Sequence, residues 1–146
     1  MRQKSPTFAT LLLVFALLTM TACGLLSGGL NNSCDQDMID ALRIPLPSSA
    51  SNLTESCAEG FAPGNGQYRA TFNLAPADFP ALQANTLIQN WETTVPANAS
   101  VYKNEAAGLT SFQYGAFGDG AIMEEVLVDT SNPQQYKIYF YRAFVD

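Results

Sequence analysis

Few side chains in this chain are equipped for chemistry. Its 146 residues include no histidine and three cysteines, Cys23, Cys34 and Cys57. Without an imidazole there is no Ser-His-Asp or Cys-His relay and no histidine-held metal. Carboxylates are left as the only acid–base candidates. Glu124 and Glu125 are adjacent on a predicted strand, so their side chains point to opposite faces and cannot work as a pair. Asp119 sits in a tight turn and Asp129 beside another, where a carboxylate is a turn residue. The expectation is a protein that is not an enzyme, with a carboxylate-based hydrolase as the lesser alternative.

Two other clusters invite a ligand and lose it on spacing. Asp35, Asp37 and Asp40 resemble a calcium loop, but the sixth position is Asp40 rather than glycine and no Glu stands at the twelfth. They suit the first turns of a helix, whose dipole favours negative charge. Gly64-Asn65-Gly66 is followed by an alternating segment and no nearby lysine, which fits a hairpin turn better than a phosphate loop. No cofactor and no metal are expected.

Cys23 stands in "LLTMTACGLLSGG". Arg2 and Lys4 precede an apolar run from Phe8 to Leu18, and small residues follow. This is the layout of a secretory signal. The run is shorter than the ~20 apolar residues of a membrane span. Met20-Thr21-Ala22-Cys23 resembles the lipobox of bacterial lipoproteins: an aliphatic residue, two small ones, then cysteine. The resemblance covers residues 1 to 24 and implies that the Cys23 thiol receives a diacylglycerol. The chain is then cut before Cys23, and the new amine is open to acylation. Burial of methylenes at ~0.8 kcal/mol each makes two or three acyl chains a stable anchor. Gly24, in place of Asp, implies the outer membrane where two membranes are present. "IPLPSSASN" and "YRATFNL" are spaced as in uncharacterised small bacterial lipoproteins, a resemblance that carries no activity.

On that reading residues 1–22 are the signal peptide, 23–33 a flexible tether, and 34–146 one globular domain. The Gly/Ser-rich tether reaches roughly 17 Å as a coil. All thirteen acidic residues lie in the mature chain, and Arg2 and Lys4 leave with the signal, so five basic residues face thirteen acidic ones. Such a surface is a poor match for nucleic acid. With Cys23 lipidated, Cys34 and Cys57 form an even pair in an oxidising compartment, and a disulfide between them is expected. Closing that loop contributes roughly 3 kcal/mol on the chain-entropy model.

The elements follow from pattern. Ser33-x-x-Gln36 is a capping box for a short N-terminal helix with Met38, Ile39 and Leu42 on its apolar face, stopped by Pro45 and Pro47. The stretch 43–57 reads as extended or irregular. Tyr68, Ala70 and Phe72 alternate with Arg69, Thr71 and Asn73, the mark of a half-buried strand. Residues 78–91 read as the main helix, with Asp78 as N-cap, Pro80 in the first turn, and Phe79, Leu82, Leu87, Ile88 and Trp91 facing the core. From Leu109 a β-meander is expected, with turns at Gly118-Asp119-Gly120 and Ser131-Asn132-Pro133. Its last strand is aromatic on both faces, with Tyr136, Ile138 and Phe140 against Tyr139 and Tyr141.

The expected fold is therefore α+β: an antiparallel sheet of four or five strands, one main helix packed on one face, and a short N-terminal helix. The expected function is a membrane-anchored extracytoplasmic lipoprotein of the bacterial cell envelope. It acts by non-covalent binding, foremost of another envelope protein through Tyr136, Tyr139, Tyr141 and Trp91. The alternative is a small-molecule or glycan-binding module that uses the same aromatics for stacking.

Overall fold

Alternating apolar residues build a single sheet of six antiparallel strands in the computed structural model, which describes residues 36–59, 66–95 and 101–144. The strands are β1 (Ser51–Glu59), β2 (Gly66–Leu74), β3 (Trp91–Glu92), β4 (Phe112–Gly118), β5 (Ile122–Asp129) and β6 (Tyr136–Phe144). Their order across the sheet is β1-β2-β6-β5-β4-β3. The segment β4-β5-β6 is a meander whose turns use the expected chemistry. Asp119 Oδ1 accepts the N–H groups of Ala121 and Ile122 at 2.9 and 2.8 Å, with Gly120 at φ 90°. Asn132 Oδ1 accepts the Gln134 N–H at 3.0 Å.

Among the described residues three short helices accompany the sheet: α1 (Gln36–Leu42), α2 (Phe79–Asn85), entered through a 3-10 turn at Pro76–Asp78, and α3 (Lys103–Ala107). On the first face of the sheet, Tyr68, Phe72, Leu74, Val126, Val128, Ile138 and Phe140 are buried against Leu42, Ile44, Phe79, Leu82 and Ile88. On the second face, Tyr102 and Ala106 pack over Tyr114, Leu127, Tyr141 and Ala143. Full burial of one such aliphatic or aromatic side chain stabilises by about 1.5–3 kcal/mol, so the first face carries most of the stability.

The expectation of four or five strands under one main helix is overturned. The sheet has six strands, because 51–59 pairs with β2 from end to end and Trp91–Glu92 pairs with Tyr114 and Gly115. The anticipated helix over 78–91 ends at Asn85. Thr86 turns extended, and both its N–H and its hydroxyl return to the Gln83 carbonyl at 3.2 and 2.8 Å. The next N–H, of Leu87, donates to the buried Glu124 carboxylate at 3.0 Å. A β-branched residue is a mediocre helix former, and a buried carboxylate needs donors. Together they outweigh continuation of the helix. The apolar stripe is divided accordingly: Phe79 and Leu82 are buried from α2, Ile88 from the connector, and Trp91 packs from a strand, while Leu87 remains 40% exposed. Asp78 stands at the start of α2 without a side-chain capping bond. Ser33, the expected cap of α1, lies outside the described residues.

The connector approaches the sheet so closely that position 115 admits no side chain. A Cβ on Gly115 would stand 2.5 Å from Ile88 Cγ2 and 3.3 Å from the Trp91 ring. Gly115→Ala is therefore expected to destabilise the domain by about 1–3 kcal/mol through overpacking, read as a lower urea midpoint. An unchanged midpoint would show that the connector yields freely.

Candidate functional site

The two adjacent glutamates of β5 do point to opposite faces, and both are buried, Glu124 at 0% and Glu125 at 5% exposure. Their surroundings differ in kind. Glu124 is fully partnered. Arg142, two strand positions beyond Phe140 on the same face, gives its Nε to Oε2 at 2.8 Å and its Nη2 to the same oxygen. The Leu87 N–H takes Oε1, and Arg142 Nη1 reaches the Leu42 carbonyl at 3.2 Å. Every group in this cluster ties one element to another, which makes it structural. Removing one partner of such a pair leaves a buried charge alone, so Arg142→Met is expected to cost about 3–5 kcal/mol, measured by chemical denaturation. A cost below about 1 kcal/mol would show that the pair is dispensable.

Glu125 lies in a different environment. Its neighbours across the sheet are Tyr141 on β6 and Ala116 on β4. The Tyr102 side chain and the α3 segment cover this face from above. Glu125 Oε2 is buried with no hydrogen-bond partner among the described residues. Burial raises the Glu125 pKa above the ordinary glutamate value, against the opposing pull of the Tyr114 hydroxyl, the Val101 N–H and Arg69. The neighbouring phenols respond in turn. Burial raises the pKa values of Tyr102, Tyr114 and Tyr141, and the nearby Glu125 charge adds to each shift.

The cover does not extend over the whole second face. Side chains there align in cross-strand rows. One row runs Ser56, Arg69, Tyr141, Glu125, Ala116. The next runs Thr54, Thr71, Tyr139, Leu127, Tyr114, Glu92. Over β5, β6 and Tyr114 of β4 these rows are roofed, while Ala116 is exposed. Over β1 and β2 they are open: Thr54, Ser56, Ala58, Gln67 and Arg69 are exposed, and Thr71 and Asn73 are half-buried. At the boundary, cations lie on tyrosine rings. Arg69 Cζ is 5.4 Å from the Tyr141 centroid and Lys137 Nζ is 5.0 Å from that of Tyr139. The open half-face is flat, polar and rich in hydrogen-bonding groups. It has the makings of a binding surface.

The four aromatics expected to form one binding surface are not brought together. Trp91 and Tyr136 lie on the first face, edge-on to Phe79 at 5.3 and 5.9 Å. Tyr139 and Tyr141 lie on the second. Tyr141 is buried, and Tyr139 is held between Lys137 and Tyr102, whose ring lies 5.9 Å away. Cys57 is buried on β1 and disulfide-bonded. Cys34 and Cys23 lie outside the described residues, as do the signal peptide and the tether. Asp37 and Asp40 are exposed on α1, where Asp40 accepts from the Gln36 amide at 2.8 Å. Among the described residues no cluster of three or more potential metal ligands occurs. None of the described helices is long and apolar enough to cross a membrane.

Sequence reasoning missed the site at Arg69 and Lys137. The signal was present in the polar half of the alternation Arg69, Thr71, Asn73, but its neighbours depend on strand order. It also passed over a Ser-x-x-Lys spacing at Ser100–Lys103. Lys103 opens α3, while Ser100 precedes the helix and lies outside the described residues. No family model, curated protein or solved structure matches the chain.

Glu125 gives the domain a testable pH response. Its raised pKa means that the folded state holds the proton more tightly than the unfolded chain does. The stabilisation is fully present below the ordinary glutamate pKa of 4.5 and is lost as pH rises through the folded value. Glu125→Gln removes the titration. Urea midpoints taken from acid to neutral pH should show the variant gaining on the wild type as pH rises. Parallel curves would mean that Glu125 does not titrate differently on folding.

Proposed function

We propose that the chain is a membrane-anchored extracytoplasmic lipoprotein of the bacterial envelope that acts by non-covalent binding through the open half of its second sheet face. The anchor reading rests on Met20-Thr21-Ala22-Cys23 after an apolar run. The binding reading rests on one observation: a roof of loop and α3 covers β5, β6 and Tyr114 of β4 and leaves the polar rows of β1 and β2 exposed. The chemistry of the described side chains suits recognition better than turnover. The buried carboxylates lie on opposite faces, one locked in an ion pair and the other under the roof.

A second reading, an envelope protein as partner, draws on the position of β1. Among the described residues it pairs only with β2 and so forms a sheet edge, and an edge strand can pair with an extended segment of another chain. Either partner would find the domain near a membrane surface, where the acyl chains hold it.

Cys23→Ala tests the anchor. The wild-type chain is expected in the membrane fraction and the variant in the soluble fraction. A variant that stays wholly membrane-bound would remove the anchor from this reading. Crosslinking in cells tests the binding reading, with loss of the adduct expected on Arg69→Gln plus Lys137→Gln.

A further inference from the structure

The described residues contain five basic side chains in an acidic chain, and their distribution is uneven. Arg43 and Arg142 belong to the first face, and both are ion-paired. Arg43 donates Nε and Nη2 to Glu55 at 2.8 and 2.7 Å, and Arg142 is closed on Glu124. The other three are Arg69, Lys103 and Lys137, and none of them forms an ion pair among the described residues. All three belong to the second face: Arg69 and Lys137 on its strands, Lys103 at the start of the helix that lies on it. Asp129 is the cross-strand neighbour of Lys137, and its Oδ1 accepts the Ser131 N–H at 2.9 Å. Among the described residues, the cations outside ion pairs thus lie on the face that is half open, where Arg69 also attracts Glu125.

Resting on the binding reading above, we propose that this half-face binds an acidic glycan. Arg69 and Lys137 meet a carboxylate, and Thr54, Ser56, Thr71 and Asn73 meet the sugar hydroxyls. Arg69 lies near the middle of β2 and Lys137 near the start of the adjacent β6, opposite Asn73, with Thr71 between Arg69 and Asn73 on the same face. A strand rises about 3.4 Å per residue, so the backbone positions of Arg69 and Lys137 are roughly 14 Å apart, while their charged ends lie over the rings of Tyr141 and Tyr139, next but one to each other on β6. A guanidinium offers a planar fork to a carboxylate, and an ammonium offers a point charge. Short hydroxyl and amide side chains both donate and accept, as vicinal sugar hydroxyls do.

The dimensions argue against a protein in this place. Two strands, each about 4.8 Å wide, over some 20 Å of strand length give a strip of roughly 200 Å². A stable protein interface takes about 800 Å² per partner.

Isothermal titration of the detergent-solubilised full chain tests this, with digalacturonic acid as probe, galactobiose as its neutral counterpart and hexaglutamate as the acidic peptide. Saturable binding of digalacturonate is expected, at least about tenfold tighter than either comparison. Arg69→Gln plus Lys137→Gln should lose that margin with an unchanged thermal melt, and Arg69→Lys should retain most of it. Equal affinity for galactobiose, tighter binding of hexaglutamate, full affinity in the double variant, or no saturation would each overturn the glycan assignment. Failure here alongside crosslinks in cells that vanish in the double variant would overturn the ligand class and leave the binding reading intact. Failure of both would overturn both.

Discussion

The ion pair of Glu124 and Arg142 is the constraint around which the first face is arranged. A fully buried carboxylate is tolerated only where donors converge on it. Here the donors come from two places in the chain, the guanidinium on β6 and the Leu87 N–H on the connector, and the same guanidinium also donates to the Leu42 carbonyl that ends α1. Satisfying the charge therefore fixes where α1 stops, where α2 stops, and how β5 and β6 are registered. The connector that results descends onto Gly115 and delivers Trp91 to the sheet edge. A second pair, Arg43 with Glu55, ties the segment after α1 to β1, with the Tyr68 hydroxyl donating to the same carboxylate at 2.5 Å.

The second face is organised by coverage instead of charge pairing. One short helix and its flanks are long enough to roof β5, β6 and Tyr114 of β4 and no more. Where the roof lies, tyrosines surround a glutamate that has an oxygen to spare. Beyond it, the side chains become small and hydrophilic. The same sheet thus presents a sealed half and an open half, and the row Ser56, Arg69, Tyr141, Glu125 crosses from one to the other.

What the sequence made legible was local. Tyr68, Ala70 and Phe72 are buried in alternation, as their spacing demands, and Asp119 and Asn132 build their turns from their own side chains. The helix over 78–91 was misread because its end is decided by Glu124, far along the chain. No period in the segment itself records that. β1 was illegible for a related reason. "SNLTESCAE" has little apolar alternation, its register shifts between Ser51 and Thr54, and Asn52 takes a positive φ of 54°. It becomes a strand because β2 offers it an edge. The candidate site sits between these cases. The polar half of β2 was visible as exposed, but which residues flank it follows from β2 lying beside β6, and adjacency of distant strands leaves no trace in spacing.

That adjacency also sets the order of events in folding. β2 and β6 are neighbours in the sheet although the partners Gln67 and Ala143 are 76 residues apart in sequence. Contacts of such separation cost loop-closure entropy before they return any energy, and they slow folding. The meander β4-β5-β6 closes through short turns and can assemble early. The hairpin β1–β2 cannot bury Tyr68, Phe72 and Leu74 until β6 arrives beside it. During that interval the first hairpin exposes its apolar side and a free edge together, so the half of the sheet that ends with the open face is also the half most exposed to misassociation while the protein is being made.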